Sequence, residues 1–301
     1  MQAMTLVAGD AHPELARDIA RLTKASLIPT SVSAFADGET RVRIEVDVRE
    51  ADLYIVQPTS PPTNERLMTL ALIADAARVA GAARVTAVVP YFGYARQDVR
   101  KSDGEPRSAQ LAARVLRTAG IDRLVALELH SPALESAFEI PLVHLQADEL
   151  MLPLIRGWGI RDLTIIAPDA GGMKRAQRYA SALEAPLAVV AKWRPRPDVA
   201  VSLQVLGEVR QRVCLIVDDM ASTGRTIIGA ARALVDAGAK EVRALFVHAV
   251  MAAGALDDMC AASVRRIVTT DSVHRSPDPR VEVISIAPLL ARTVMRLGAR
   301  T

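Results

Sequence analysis

The chain is poor in aromatic residues, with ten in 301, or 3%. Its core must therefore be packed mainly from Ala, Val, Leu and Ile, and each aromatic side chain is worth locating. Cysteine is scarcer still. Cys214 and Cys260 cannot build a disulfide framework or a CxxC metal site, so a disulfide-stapled scaffold is excluded and a reducing, cytoplasmic setting is expected. No run of 18 apolar residues occurs, so no membrane-spanning helix and no membrane partner are expected. The first residues lack a basic stretch followed by an apolar one, so no secretory signal is read. An excess of one charge is missing too. Lys and Arg number 37 against 34 Asp and Glu, a balance of +3 that is too even for a dedicated nucleic-acid binder.

What is present is length for two domains of ~150 residues each, and an alternation of apolar runs with amphipathic stretches. Strands are expected over 5–8, 41–46, 53–57, 84–89, 123–127, 163–167, 188–191, 213–217, 242–248, 266–270 and 281–286. Several are apolar throughout, as in a parallel sheet covered on both faces. Residues 41–46 instead alternate, like a half-exposed antiparallel strand. Helices are expected over 64–80, 107–119, 173–183, 226–237 and 288–297, with Gly81, Gly120 and Gly238 closing three of them. A helix–Gly–strand–turn pattern appears at ARVAGAARVTAVVPYFG and again at ALVDAGAKEVRALFVHAV. The fold class is therefore α/β, with two similar domains built on parallel central sheets. Their expected bounds are 1–146, completed by the last helix at 288–301, and 147–287.

The most informative segment is VCLIVDDMASTGRT at 213–226. An apolar strand runs into two carboxylates, Asp218 and Asp219, then a small hydroxyl-rich loop, then a helix. Ligands of open α/β sheets bind at the carboxyl ends of strands. A small-residue loop entering a helix offers backbone N–H groups to a phosphate, and Thr223 and Thr226 add hydroxyl donors. The two carboxylates suit vicinal sugar hydroxyls or a divalent cation. No Walker loop and no G-x-G-x-x-G is present. Other polar insertions also follow apolar strands: PYFGYARQD at 90–98, LHS at 129–131, PDAGG at 168–172 and KWR at 192–194, while FADGE at 35–39 precedes an alternating strand.

The 213–226 unit resembles the phosphoribosyl diphosphate (PRPP) loop of type I phosphoribosyltransferases and PRPP synthetases. With PYFGYARQD and the other segments added, nearly the whole chain resembles the ribose-phosphate pyrophosphokinase family. That resemblance implies transfer of the diphosphate of ATP to the 1-hydroxyl of ribose 5-phosphate, giving PRPP and AMP. It implies two type I phosphoribosyltransferase-like domains. It gives Asp218 and Asp219 to the ribose hydroxyls, and Ser222, Thr223, Gly224 and Thr226 to the 5-phosphate. His130 and Asp169 match the family's Mg2+ ligands, His130 on resemblance alone because imidazole is an unusual magnesium ligand. Lys192 and Arg194 match the basic pair on a catalytic loop. Phe35, Asp37, Glu39, Arg96 and Gln97 match the ATP-binding positions, and a FADGE-type loop that reaches a neighbouring subunit implies self-association.

Two departures stand out: Ser222 where many members carry a third Asp, and Trp193 where relatives are often basic. KSDGEPR at 101–107 and the short stretch after the last helix lead to an expectation of weak or absent ADP control. Two other readings stay open, a non-catalytic subunit of the same kind and a base phosphoribosyltransferase. His12 and His274 read as surface or turn residues, and His144 and His248 as structural ones. Phe35, Tyr91, Phe92, Tyr94 and Trp193 fall in the inferred site motifs, so half of the aromatics are expected to serve the site.

Overall fold

The computed structural model describes residues 4–100, 102–193 and 202–299, with the backbone alone described at Pro132, Lys192, Trp193 and Ser202. The elements run β1 (Met4–Ala8), α1 (Pro13–Thr23), β2 (Ser26–Ile28), β3 (Thr30–Ala34), β4 (Thr40–Ile44), β5 (Asp52–Val56), α2 (Thr63–Val79), β6 (Arg84–Val89), α3 (Ser108–Thr118), β7 (Arg123–Leu127), a 3-10 turn (Pro132–Ala137) and β8 (Leu142–Leu145). They continue as α4 (Asp148–Gly157), β9 (Leu163–Ala167), α5 (Met173–Leu183), β10 (Leu187–Trp193), β11 (Ser202–Leu206), β12 (Val213–Ala221), α6 (Arg225–Asp236), β13 (Glu241–Ala249), α7 (Ala255–Ala261), β14 (Val264–Thr270), β15 (Val281–Ile284) and α8 (Ala287–Gly298).

The chain divides into two compact units. The first holds the chain up to Gln146, with Ser272–His274 and everything from Ser285 onward; the second holds Ala147–Asp271 and Arg275–Ile284. In the first, six strands stand in the order β2-β1-β5-β6-β7-β8, all parallel. All five residues of β5 are buried, as its unbroken apolar run requires of a strand covered on both faces. Helix α8 packs on α1 in this unit. The second unit has the order β11-β10-β9-β12-β13-β14-β15, parallel except for β11 at one edge.

Four strands escaped the sequence reading: β2, β3, β8 and β11. All are short, and none is a continuous apolar run. The alternation at 41–46 has its cause in β4, which pairs antiparallel with β3, exposes Arg41 and Arg43, and turns Val42 and Ile44 towards the core. β12 also runs further than expected. It continues through Ala221 because β13 keeps pairing alongside it, Asp218 with Phe246, Met220 with His248 and Ala221 with Ala249. Asp218 and Asp219 thus sit within a strand, not beyond its end.

Candidate active site at the switch point of the second sheet

In an open α/β sheet the crevice lies where the strand order reverses. In the second sheet the chain goes from β9 outward to β10 and β11, then from β12 the other way, so the reversal falls between β9 and β12. The loops there are 168–172, after β9, and 222–224, after the acidic end of β12. Both are the motifs singled out above.

The acids are held by an arginine that the sequence reading passed over. Arg175, in the first turn of α5, places Nη1 3.3 Å from Asp218 Oδ1 and 3.5 Å from Asp219 Oδ1. All three side chains are largely buried. The Asp219 amide also donates to Asp218 Oδ1 at 2.9 Å. Burial, and then the neighbouring Asp219 carboxylate, push the Asp218 pKa well above the ordinary value of 3.8. Two like charges this close make ionisation of the second carboxyl costly. Arg175 stands out only once the burial of α5 is known. It shares a face with Ala176, Tyr179 and Ala180, all buried, and a buried arginine needs a carboxylate.

Beyond Ala221 the chain turns through Ser222, half-buried, and Thr223, exposed, to Gly224. Gly224 is the N-cap of α6 with φ 72°, a conformation that suits the absence of a Cβ. No side chain caps α6, so its first-turn amides face the crevice end as donors without intrahelical acceptors. The loop is steadied from behind, where Met251 and Ala252 amides donate to the Ala221 and Ser222 carbonyls at 2.8 and 2.9 Å. Thr226 is exposed on that first turn. Across the reversal, Asp169 accepts from the Gly172 amide through Oδ1 at 3.0 Å. Lys192 lies on β10 opposite Leu203 of β11, three residues past the Val189–Ala167 pairing that ends the contact with β9. Arg194 falls outside the described residues, as do the side chains of Lys192 and Trp193.

A family model described as the N-terminal domain of ribose phosphate pyrophosphokinase matches residues 4–120, and one for the phosphoribosyl transferase domain matches 135–281. The ribose-phosphate pyrophosphokinase of Bacillus subtilis (strain 168) is 38% identical over 291 residues, which is 96% of this chain and 92% of that protein. That of Maricaulis maris (strain MCS10) is 40% identical, over 98% and 97% of the two chains. The chain belongs to the ribose-phosphate pyrophosphokinase family. A crystal structure of phosphoribosylpyrophosphate synthetase from Mycobacterium smegmatis shares 34% identity and superposes with a TM-score of 0.94, covering all of both chains.

The pyrophosphokinase motifs of the first unit also stand at the carboxyl ends of parallel strands or on the β3–β4 hairpin. Residues 35–39 form the hairpin tip. Phe35 is 50% exposed with the Arg41 guanidinium 5.9 Å from its ring centre, and Asp37 Oδ1 accepts from the Glu39 amide at 3.1 Å. In the 90–98 loop Arg96 and Gln97 are exposed, and Gln97 Oε1 accepts from the Ser108 hydroxyl at 2.5 Å. The aromatics beside them do a different job from the one expected. Tyr91 and Phe92 are buried, and Phe92 packs edge-on against Phe138 at 5.1 Å. Tyr94 donates through its hydroxyl to Asn64. Tyr91 and Phe92 thus fasten the loop to the core.

His130 is exposed, at the end of the segment that follows β7. The segment is latched by His144. Its Nε2 accepts from the Leu129 amide at 2.9 Å, so the proton sits on Nδ1, which donates to Glu135 Oε1 at 2.7 Å. His144 is thus structural, as read from the sequence, but its role is to position the loop that carries His130. Both cysteines are free, and burial pushes the Cys214 thiol up to about 11.

Proposed function

We propose that this pyrophosphokinase transfers the diphosphate of ATP to ribose 5-phosphate, giving PRPP and AMP. The Arg175-clamped acid pair, at the strand-order reversal and followed by an amide-rich loop, carries the reading. The acid pair accepts the ribose 2- and 3-hydroxyls, and residues 222–226 hold the 5-phosphate. The 1-hydroxyl oxygen attacks the β-phosphorus in line, a new O–P bond forms, and the bridging bond to the α-phosphate breaks to release AMP. Such transfer depends on positioning and charge neutralisation. Lys192 and Arg194 supply cations to the phosphoryl group, while Phe35, Asp37, Glu39, Arg96 and Gln97 hold ATP.

A divalent cation of the magnesium class fits the acidic residues present. Asp169 is half-buried and commits Oδ1 to its own turn, which leaves Oδ2 as a hard oxygen donor. Asp218 and Asp219 add two closely spaced carboxylates on the facing strand end. Asp169 would hold the ion with His130. Bound there, Mg2+ would neutralise charge developing on the transferred group. The exposed 35–39 tip fits a partner copy, so the working form is a homo-oligomer in the cytoplasm. Among the described residues no helix is long and apolar enough to cross a membrane.

ADP control is weak or absent. The deciding assay combines the protein with ATP, ribose 5-phosphate and magnesium and follows AMP and PRPP. Absence of both products overturns the reading. Consumption of PRPP with a free base selects a base phosphoribosyltransferase instead. Adding ADP at varied ribose 5-phosphate tests the regulatory reading, which strong non-competitive inhibition would remove.

A further inference from the structure

One cluster of metal-ligating side chains has no part in the reaction above. His12, Glu14 and His274 come together in the first unit although 262 positions separate the two histidines. The chain leaves the second unit after β14 and contributes Ser272–His274 to the first before returning. A ring nitrogen of each histidine and a carboxylate oxygen of Glu14 lie within 4.8 Å of one another. His12, expected to be a surface or turn residue, stands in the turn before α1 with its side chain buried. It is 5% exposed and caps α1, its Nδ1 accepting from the Leu15 amide at 3.2 Å. The His274 ring stands edge-on to it at 5.0 Å, with Nδ1 3.3 Å from Glu14 Oε2.

The location adds a second argument. The first sheet reverses its strand order between β1 and β5, so the loop leading to His12 lies at that sheet's own crevice. That crevice is filled by protein. Gln57 spans it, its amide nitrogen donating to Asp10 Oδ1 at 2.8 Å and its Oε1 accepting from the Ala11 amide at 3.0 Å. A Cβ added at Gly9 would come within 2.1 Å of Gln57 Oε1. A sugar phosphate has no room there, whereas an ion on the neighbouring imidazoles needs none of that space.

We propose that His12, Glu14 and His274 form a binding site for a divalent transition metal of the zinc class. Two imidazoles and one carboxylate are borderline donors, suited to Zn2+, Co2+ or Ni2+ and poorly suited to Mg2+ or Ca2+. Three protein ligands and a water complete a tetrahedron whose donor atoms stand about 3.4 Å apart, for bonds of ~2.1 Å. The present spacing closes by movement of Glu14 and His274, whose side chains are 58% and 50% exposed, onto the buried His12. Two groups oppose the ion. The α1 N-terminus is weakly repulsive, and Arg17 competes for Glu14 at 4.0 Å across an exposed pair. Neither matches the strength of three first-row metal bonds. A bound ion ties residues 272–274 to the start of α1.

The test uses the full chain, stripped with EDTA and held in excess magnesium so that oxygen-rich sites stay occupied. Cobalt(II) alone is titrated while the visible spectrum is recorded, and zinc(II) alone while the thermal midpoint is followed. The expected result is one four-coordinate cobalt per chain and a midpoint raised by zinc. Both responses weaken at least tenfold in affinity in His274→Ala, an exposed change that leaves the fold alone. His12→Asn, which keeps a helix-capping oxygen, loses them too, and His130→Ala keeps them. No four-coordinate spectrum in the wild type, or equal affinity in wild type and His274→Ala, overturns the proposal. The readout is metal binding, so it is independent of whether PRPP is made.

Discussion

At the end of β12 two largely buried carboxylates face the Arg175 guanidinium, and their closeness has measurable consequences. Because the Asp218 pKa is raised, the folded chain holds this proton to higher pH than the unfolded chain does. The sign follows from linkage: this stabilising contribution is complete below about pH 3.8 and is lost as pH rises through the raised folded value. Asp218→Asn keeps the shape and removes the charge. We therefore expect the variant to gain stability over wild type progressively as pH rises from the ordinary carboxylate range. Ribose 5-phosphate binding should weaken at the same time, with KM rising at least tenfold. Denaturant melts at several pH values check the first outcome, and a difference that does not change with pH would remove the raised-pKa account. Arg175→Ala is predicted to go the other way, destabilising the fold by about 3 kcal/mol because two buried acids lose their cation. Equal melting midpoints for Arg175→Ala and wild type would contradict it. Asp218 and Asp219 were legible in the sequence because a pair of acids interrupting an apolar strand is conspicuous. Arg175 was not, since an arginine in a helix reads as solvated until the burial of Ala176 and Tyr179 on the same face is known.

The loops at the carboxyl ends of the first sheet are fixed elements, not free polar insertions. Phe92 of the 90–98 loop and Phe138, just past the 3-10 turn, form an edge-on pair, and both are buried. This packing joins the segment bearing Arg96 and Gln97 to the segment bearing His130. Phe92→Ala should cost about 3 kcal/mol of stability, mostly from the cavity left behind. Both segments should then lose order together, seen as faster amide exchange at residues 90–98 and 128–131. Exchange that rises at 90–98 alone would show that the two loops are held separately. Aromatic position in a motif did not reveal this role, because a ring beside a ligand and a ring plugging a loop into the core look alike in sequence. The His144 latch was hidden for a related reason: Leu129 and Glu135 are its partners only once β8 lies beside β7, a pairing that the apolar residues around His144 do not announce.

Across the whole molecule, the parallel strands were legible because two buried faces demand continuous apolar runs, and the duplicated helix–Gly–strand pattern gave the two-unit plan. The unread strands β2, β3, β8 and β11 owe their existence to neighbours in the sheet, which supply hydrogen-bond partners that a short segment cannot announce. The β3–β4 hairpin follows from this. It pairs only with itself, its tip is exposed from Ala34 to Glu39, and Phe35 leaves half of a large apolar side chain in water. The ring takes no part in its own unit's core, and we expect it to serve a surface beyond that unit. Phe35→Ser should leave the melting midpoint within about 0.5 kcal/mol of wild type, as for an exposed position. Turnover should nevertheless fall at least tenfold if the tip completes the site of a partner copy. Mixing Phe35→Ser with the site-defective Asp218→Asn separates the possibilities. Recovery of activity in the mixture requires that the tip of one chain serve the acid pair of another, whereas a tip that acts within its own chain gives no recovery at any ratio.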